Sequence, residues 1–289
     1  EAALKLGSGA DRRLRLSCPM TTTPDMQVWI DGVGFIAPGM PDWPSAREVL
    51  AGRQPWVSEP SVLPPPLLLP PAERRRASRV IRVALALGQE AVTHAGANAA
   101  DLATVFAASG ADGHNCHALC EQLAGDDRQI SPTRFHNSVH NAAAGYWGIA
   151  TGAMAPCQVL CAYDASFGAG LLDALAQVAV DRQPVLLIAY DSEYPAPLFA
   201  TRPVPDAAGV ALLLAPERSG RSLVGISVTP SHTAADTLAA GKEQHILNQA
   251  FQPLQLAAGL VGKFRPRFVR HARLTEIGGV QQRCRQRRA

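Results

Sequence analysis

The chain has 289 residues, of which 47% are hydrophobic and 18% charged. This balance is typical of a globular protein with a sizeable core and excludes a disordered chain. Because no apolar run reaches the ~18 residues that span a bilayer, and no continuous apolar stretch marks a signal peptide, we expect a cytoplasmic protein without a membrane span. The six cysteines lack the regular spacing of a disulfide framework, so we expect reduced thiols.

The net charge of +3 hides an uneven distribution. Residues 263–289 carry nine Lys and Arg against one acid, whereas residues 1–262 carry 18 basic and 23 acidic residues. A basic patch confined to one end of a mildly acidic chain argues against a nucleic-acid-binding face. We expect a leader over 1–25, one domain over 26–235 and a loosely structured basic tail over 236–289.

The predicted elements alternate between strands and helices. In chain order they are a strand over 27–36, a helix over 43–52, a proline-rich extended crossing over 64–71, a helix over 72–95 that ends at Gly96, a strand over 103–109, a helix through Cys120, a helix over 138–152, a strand over 158–162, a helix over 165–181, and strands over 184–190, 209–214 and 222–228. This alternation predicts an α/β fold with a mostly parallel sheet covered by helices on both faces.

Residues 131–168 carry a resemblance to a known family. A Ser131-Pro turn leads into a helix with the pattern Asn141-Ala-Ala-Ala-Gly145, and a strand then runs into the elbow Tyr163-Asp-Ala-Ser-Phe-Gly168. This order resembles the β-ketoacyl synthases, over roughly residues 27–215. The resemblance implies a thiolase-like fold represented by a single N-terminal half, with a mostly parallel mixed sheet and helices on both faces. It is similar in particular to the short, chain-length-factor-like proteins of aryl polyene-type clusters, and implies a place in fatty acid, polyketide or aryl polyene-type biosynthesis.

The resemblance places Asp164 where an active synthase carries its nucleophilic cysteine. Condensation needs a thiolate at a helix N-terminus, where the helix dipole lowers the thiol pKa, and a carboxylate cannot form a stable thioester. Active members also carry two histidines and a lysine in a C-terminal half that these 289 residues do not contain. We therefore expect no condensing activity, no catalytic residue and no cofactor. Asp164 is also predicted to be the N-cap of the following helix.

Several other residues are candidates for a vestigial pocket or an interface: Ser166, Phe167, His136, His140, Asn141 and Gly145. If the helix begins near Ser138, His136 lies outside it and His140 in its first turn. Cys161 is expected to be an inert buried thiol at the end of a buried strand. Either Cys161 or Ser166 would be the displaced nucleophile if the protein were an enzyme.

The cluster His114-Asn-Cys116-His117-Ala-Leu-Cys120 mixes histidine and cysteine closely enough to suggest a metal site. Cys116 and Cys120 share one helical face, but His117 points elsewhere and no second ligand pair lies nearby. An ordinary helix with buried thiols is the favoured interpretation, so we expect no metal.

The expected role is that of a partner subunit. Such a chain would form a heterodimer with an active β-ketoacyl synthase, or pair with itself, and would help to shape the acyl tunnel or the acyl-carrier-protein surface. The helix over 138–152, with its small residues Ala142, Ala143 and Ala144, is the best interface candidate. The alternatives are an acyl transferase acting on acyl-carrier-protein thioesters and a remnant without a role.

Overall fold

The computed structural model describes residues 26–228. The predicted leader, the predicted tail, Cys18 and Cys284 lie outside the described residues. The strands are β1 (Met26–Ile36), β2 (Ala103–Ala107), β3 (Cys157–Leu160), β4 (Val185–Asp191), β5 (Ala208–Ala215) and β6 (Val224–Val228). The helices are α1 (Trp43–Leu50), α2 (Pro71–Arg76), α3 (Arg79–Ala95), α4 (Gly113–Ala124), α5 (Pro132–Asn137), α6 (Ala142–Thr151), α7 (Ser166–Asp181) and α8 (Leu198–Thr201). Within this part of the chain, no helix is both long and apolar enough to span a membrane.

The six strands form one mixed sheet in the order β3-β2-β4-β5-β1-β6. β2 pairs in parallel with β3 and with β4, while β5 pairs antiparallel with both β4 and β1, and β6 pairs antiparallel with β1. Strands β1 to β4 therefore point the same way, and β5 and β6 point the opposite way. A mostly parallel, mixed sheet was expected, and the structure confirms it: four of the six strands point the same way, and two of the five pairings are parallel.

Helices cover both faces of the sheet, as expected. On one face, α3 and α6 bury a core that includes Leu87, Tyr146, Trp147 and Ile188. On the other face, α1 and α7 bury a second core that includes Trp43, Leu175 and Leu187. β4 is buried on both faces because it lies in the middle of the sheet. Among the described strands, β3 lies at one edge of the sheet, and two of its four residues are exposed. The strand before the elbow was expected to be buried, and that expectation was wrong.

Contact between α3 and β1 fixes one side of the molecule. An added Cβ at Gly34 would lie 2.1 Å from the carbonyl oxygen of Leu87, so only glycine allows the strand to approach the helix this closely. The Glu90 carboxylate of α3 accepts bonds from the backbone N–H groups of Phe35 (2.8 Å) and Trp43 (2.6 Å). Glu90 thus satisfies one donor that the sheet leaves unpaired and one at the start of α1, although burial of the carboxyl group raises its pKa.

Two predicted helices differ from the structure: one is divided, and the other begins later than expected. The helix expected over 72–95 becomes α2 and α3, because Ala77 and Ser78 are extended. The helix expected over 138–152 is preceded by α5, which begins at Pro132 behind the Ser131 cap and ends where the Ser138 hydroxyl donates to the Phe135 carbonyl (2.9 Å). The predicted start of the second helix at Ser138 was therefore wrong, since α6 begins only at Ala142.

Candidate functional site

The carboxyl ends of β2, β3 and β4 meet at one edge of the sheet because these three strands are parallel. Ligand sites of α/β sheets lie at this edge. Ser109 follows β2, the elbow follows β3, and Asp191 ends β4. The segment between β4 and β5 adds Tyr194, whose side chain lies against Gly110 and Gly113, and Arg202, which contacts Ser109.

The elbow is a 3-10 turn, Tyr163–Ala165, between β3 and α7. Tyr163 has a φ of +53°, an unusual value for a bulky residue and one that costs about 1–3 kcal/mol of backbone strain. The Ser166 hydroxyl holds the turn, because it accepts from the Ala162 N–H (3.0 Å) and donates to the Tyr163 carbonyl (2.7 Å). Ser166 is buried, so its hydroxyl stabilises the turn rather than facing a substrate.

Asp164 lies at the tip of this elbow, but it is not the N-cap of α7. The N-cap residue is Ala165, without a side-chain capping bond, so the capping prediction for Asp164 was wrong. Its carboxylate instead accepts a hydrogen bond from Nη1 of Arg202 at 3.2 Å, and 33% of the Asp164 side chain and 14% of the Arg202 side chain are exposed. The 3-10 turn displaces the helix start by one residue and turns the carboxylate toward Arg202.

Arg202 connects the elbow to the neighbouring strand. Its Nε donates to the Ser109 hydroxyl at 3.3 Å, and its guanidinium lies over the Tyr163 ring, 3.9 Å from the ring centre. A cation in this position is attracted to the ring by about 0.5–2 kcal/mol. One side chain therefore contacts Tyr163, Asp164 and Ser109.

Asp191 lies at the end of β4, and Ser109 links it to Arg202. Its Oδ1 accepts bonds from the Ser109 N–H (2.9 Å) and the Ser109 hydroxyl (2.7 Å). Burial of the carboxyl group raises the pKa of Asp191 to about 6, although the Ser109 bonds and the charge of Arg202 act in the opposite direction. The site thus holds two carboxyl groups near one guanidinium: Asp164 pairs with Arg202 directly, whereas Asp191 is linked to Arg202 through Ser109.

Cys161 belongs to the same edge. Its thiol donates to the Ser109 carbonyl at 3.1 Å, and the residue is exposed. The expectation of a buried, inert thiol was wrong, because β3 is an edge strand and leaves the chain beyond it open to solvent. Phe167, by contrast, is partly buried and packs on the core under α7.

The remaining predicted residues lie at the junction of α5 and α6, which pack on α4 and α3. His136 lies within α5, with its ring 6.2 Å from that of Tyr146, and His140 lies in the turn before α6. His136 was expected outside a helix and His140 in the first turn of one. Both placements were wrong, because α5 was not predicted. Asn141 and Gly145 are exposed, while Ala142 and Ala143 are buried against α3. These residues therefore lie on the face of the sheet opposite to that covered by α7, away from the elbow.

The His114–Cys120 cluster lies on α4. Cys116 and Cys120 are exposed rather than buried, so the expectation of buried thiols was wrong. Nε2 of His117 lies 3.3 Å from the Glu121 carboxylate. Among residues 26–228, no group of three or more His, Cys, Asp or Glu side chains is placed to hold a metal ion.

Sequence reasoning missed Ser109, Asp191, Tyr194 and Arg202. Ser109 and Asp191 could have been found, because each lies at the carboxyl end of a strand predicted to be parallel to its neighbour. Nothing in the sequence indicated Arg202, since its segment carries no periodic pattern.

Comparison with known proteins gives a family and a set of folds. Residues 50–261 match the family model described as β-ketoacyl synthase, N-terminal domain. No curated protein sequence matches the chain. A chain from the structure of a ketosynthase (ApeO) in complex with its chain length factor (ApeC), from Xenorhabdus doucetiae, is similar with a TM-score of 0.61 and 21% identity. A β-ketoacyl synthase from Burkholderia phymatum is similar with a TM-score of 0.51 and 14% identity.

The extent of these similarities differs. The first covers 83% of this chain and 93% of the Xenorhabdus chain, whereas the second covers 65% of this chain and 59% of the Burkholderia synthase. A type II polyketide ketosynthase, AntDE, in complex with its acyl-carrier protein AntF is similar at a TM-score of 0.56 and 12% identity. At these identities the solved structures establish the fold, which is the thiolase-like ketosynthase fold of the N-terminal half.

Proposed function

The chain belongs to the β-ketoacyl synthase N-terminal domain family, and on that premise we propose that it is a chain-length-factor-like subunit that partners an active ketosynthase and does not itself condense acyl groups. The pathway would be of the fatty acid, polyketide or aryl polyene type. The partners would be a ketosynthase subunit and an acyl carrier protein.

The carboxylate of Asp164 carries this proposal. A condensing enzyme needs a thiolate at the strand-to-helix elbow to hold the acyl group as a thioester. The elbow of this chain instead presents a carboxylate paired with Arg202 at 3.2 Å. An acyl group on a carboxylate would be an anhydride, which water hydrolyses, so this position supports a structural rather than a covalent role.

Helix α6 supports the docking part of the proposal. It has no charged residue, although one of its faces is open. The exposed positions recur every three or four residues at Asn141, Gly145, Ile149 and Gly152, and an added Cβ at Gly145 would meet nothing within 4 Å. A helix that is apolar on all sides is ordinarily buried on all sides, which favours a partner on this face.

The β3 edge supports it as well. The bonds to β2 use the carbonyls of Pro156 and Leu160, so the backbone groups of the alternate residues Cys157 and Val159 point away from the sheet. An uncovered edge strand is a template for pairing with another chain. We propose that the docking face combines this edge, whose outward backbone groups have no partner among residues 26–228, with the open face of α6.

Co-expression with the ketosynthases of its own gene cluster tests the proposal. We expect a stable complex in size-exclusion chromatography with light scattering, and we expect Gln158→Lys on β3 to weaken it by about tenfold or more, because a lysine on an edge strand opposes pairing. Gln54→Lys is the matched control, since Gln54 is exposed but lies in the loop after α1.

Two results would contradict this function. One is a chain that stays monomeric and binds none of these ketosynthases. The other is carbon–carbon bond formation by the isolated chain with malonyl and acyl carrier-protein thioesters. Capture of the acyl carrier protein by the complex, compared with either subunit alone, tests the second proposed partner.

Acyl transfer is the second candidate, because Cys161 is exposed at the same edge as the elbow. The Cys161 thiol would give up its proton and attack the thioester carbonyl of an acylated carrier to form a new thioester. The carbon–sulfur bond to the carrier would break, and the carrier thiolate would take up the proton that Cys161 released. Intact-mass spectrometry after incubation with acyl carrier-protein thioesters would reveal an acyl adduct. Cys161→Ser would abolish that adduct and Cys116→Ser, at another exposed cysteine, would not.

A further inference from the structure

The connection between β4 and β5 is longer than its ends require. The two strands are antiparallel neighbours, and their last pair is Asp191 with Ala208. A turn of two to five residues ordinarily closes such a hairpin, and longer connections tend to be functional. Residues 192–207, named here the latch, instead run out over the carboxyl edge of the sheet and reach the elbow.

The base of the latch is fixed from both sides. Arg79 of α3 pairs with Glu193 (2.9 Å) at one end and with Asp206 (2.6 Å) at the other. The Tyr194 N–H donates to the Val204 carbonyl at 3.1 Å and joins the two arms. The part that extends beyond this base is residues 195–203.

The tip of the latch makes its own local hydrogen bonds. The N–H groups of Phe199, Ala200 and Arg202 donate to the carbonyls of Pro195, Pro197 and Leu198, all within the tip. Leu198 and Phe199 are 36% and 41% exposed. These bonds shape the tip but do not attach it to the sheet.

Arg202 attaches the tip to the elbow. Its guanidinium donates to Asp164 (3.2 Å) and to the Ser109 hydroxyl (3.3 Å) and covers the Tyr163 ring. The side chain is only 14% exposed, so it fills the space above the elbow. Burying a guanidinium is unfavourable without a counter-charge, and the Asp164 carboxylate supplies that charge.

We propose that the latch seals the elbow, with Arg202 as its contact and Asp164 as the acceptor that holds it closed. The carboxylate at the nucleophile position then has a positive role, because a neutral thiol could not hold a guanidinium by charge. The closed state belongs to the isolated chain and does not depend on a ketosynthase partner or on the proposed function.

Hydrogen exchange with mass spectrometry on the purified chain tests this closure. In Arg202→Ala and in Asp164→Ala, we expect the amides of residues 196–204 to exchange about tenfold faster than in the unmodified chain, since opening is then less costly. The double variant should exchange no faster than Arg202→Ala, because Arg202→Ala already removes the contact with Asp164. Peptides from β4 and β5 should keep their protection.

Arg218→Ala is the matched control, since Arg218 also lies over an aromatic ring, that of Trp29 at 5.4 Å, far from the elbow in sequence. It should leave exchange in the latch unchanged. Arg202→Lys keeps a charge at the tip and provides a second variant if Arg202→Ala fails to fold. Unchanged exchange at residues 196–204 in both Arg202→Ala and Asp164→Ala would overturn the proposal. Additive acceleration in the double variant would overturn it as well.

Discussion

At the scale of single residues, the elbow consists of charged and polar groups that hold one another in place. Ser109 donates twice to Asp191 and accepts from Arg202, and Arg202 in turn pairs with Asp164. Removal of any one group leaves a neighbouring polar group without its partner at a site partly shielded from water. The resulting loss of stability is ordinarily larger than the net contribution of the hydrogen bond itself.

Asp191 should make the stability of the protein depend on pH. Burial raises its pKa to about 6 from an ordinary 3.8, so the folded state binds the proton more tightly than the unfolded chain. Its stabilising contribution is present below pH 4 and is lost as the pH rises through 6. We expect Asp191→Asn to gain stability relative to the unmodified chain by about 3 kcal/mol between pH 4 and 7.5.

Urea denaturation at several pH values measures this difference. Other carboxyl groups, such as Glu90, whose pKa is also raised by burial, are common to both proteins and cancel in the comparison. A constant offset between the two curves reflects altered contacts only. Parallel curves from pH 4 to 7.5 would show that the Asp191 carboxyl is not buried as described.

Ser166 should contribute to stability and not to chemistry. Its hydroxyl serves the Ala162 N–H and the Tyr163 carbonyl at the strained turn. Ser166→Ala should lower the free energy of unfolding by about 1–3 kcal/mol, the cost of leaving such groups unpaired. Ser138→Ala, which removes an exposed hydroxyl bond to the Phe135 carbonyl, should cost less. Loss of an acyl adduct without loss of stability would instead identify Ser166 as a nucleophile.

At the scale of elements, close packing of α3 on β1 depends on glycine. A Cβ at Gly34 would come within 2.1 Å of a backbone oxygen of α3, and backbone cannot move aside as a flexible side chain can. We expect Gly34→Ala to destabilise the protein by about 3 kcal/mol or more. Gly145→Ala should instead stabilise α6 by about 0.5–1 kcal/mol, since its Cβ meets nothing.

Thermal and urea unfolding of the two variants give this comparison directly. Gly145 also lies on the proposed docking face, so Gly145→Ala should stabilise the free chain while weakening its complex with a ketosynthase. A Gly34→Ala protein as stable as the unmodified chain would mean that α3 and β1 can separate without cost.

Periodicity in the sequence predicted most elements, and for identifiable reasons. The stripe of Val83, Leu87 and Ala91 marks the buried side of α3, and Gly96 ends that helix with a φ of +58°. The extended residues between α2 and α3 and the turn before α6 escaped prediction, because neither has a strong breaker. The elbow itself was predicted from its motif, whereas Arg202 reaches it through a tertiary contact across 38 residues that no local pattern encodes.

At the scale of the whole molecule, the described part of the chain has a well-packed interior but leaves a sheet edge and an apolar helix face exposed on its surface. Both cores are closed around the sheet. The β3 edge and the open face of α6 lie next to each other in the chain, separated only by residues 152–156. A sheet edge and an adjoining apolar helix face are the features that an obligate partner covers.

A ketosynthase that covers this side should stabilise the chain by mass action. A partner that binds only the folded chain adds about 2.7 kcal/mol at a free concentration one hundred times its Kd, and the midpoint of unfolding rises accordingly. Unfolding of the chain, followed at increasing ketosynthase concentration, measures this rise. We expect the rise for the unmodified chain and for Gln54→Lys. Gln158→Lys should retain the stability of the free chain but need about tenfold more ketosynthase, or greater, for the same rise, because the lysine disturbs only the edge. If all three proteins respond alike, the partner binds elsewhere, and the β3 edge is then not the docking face.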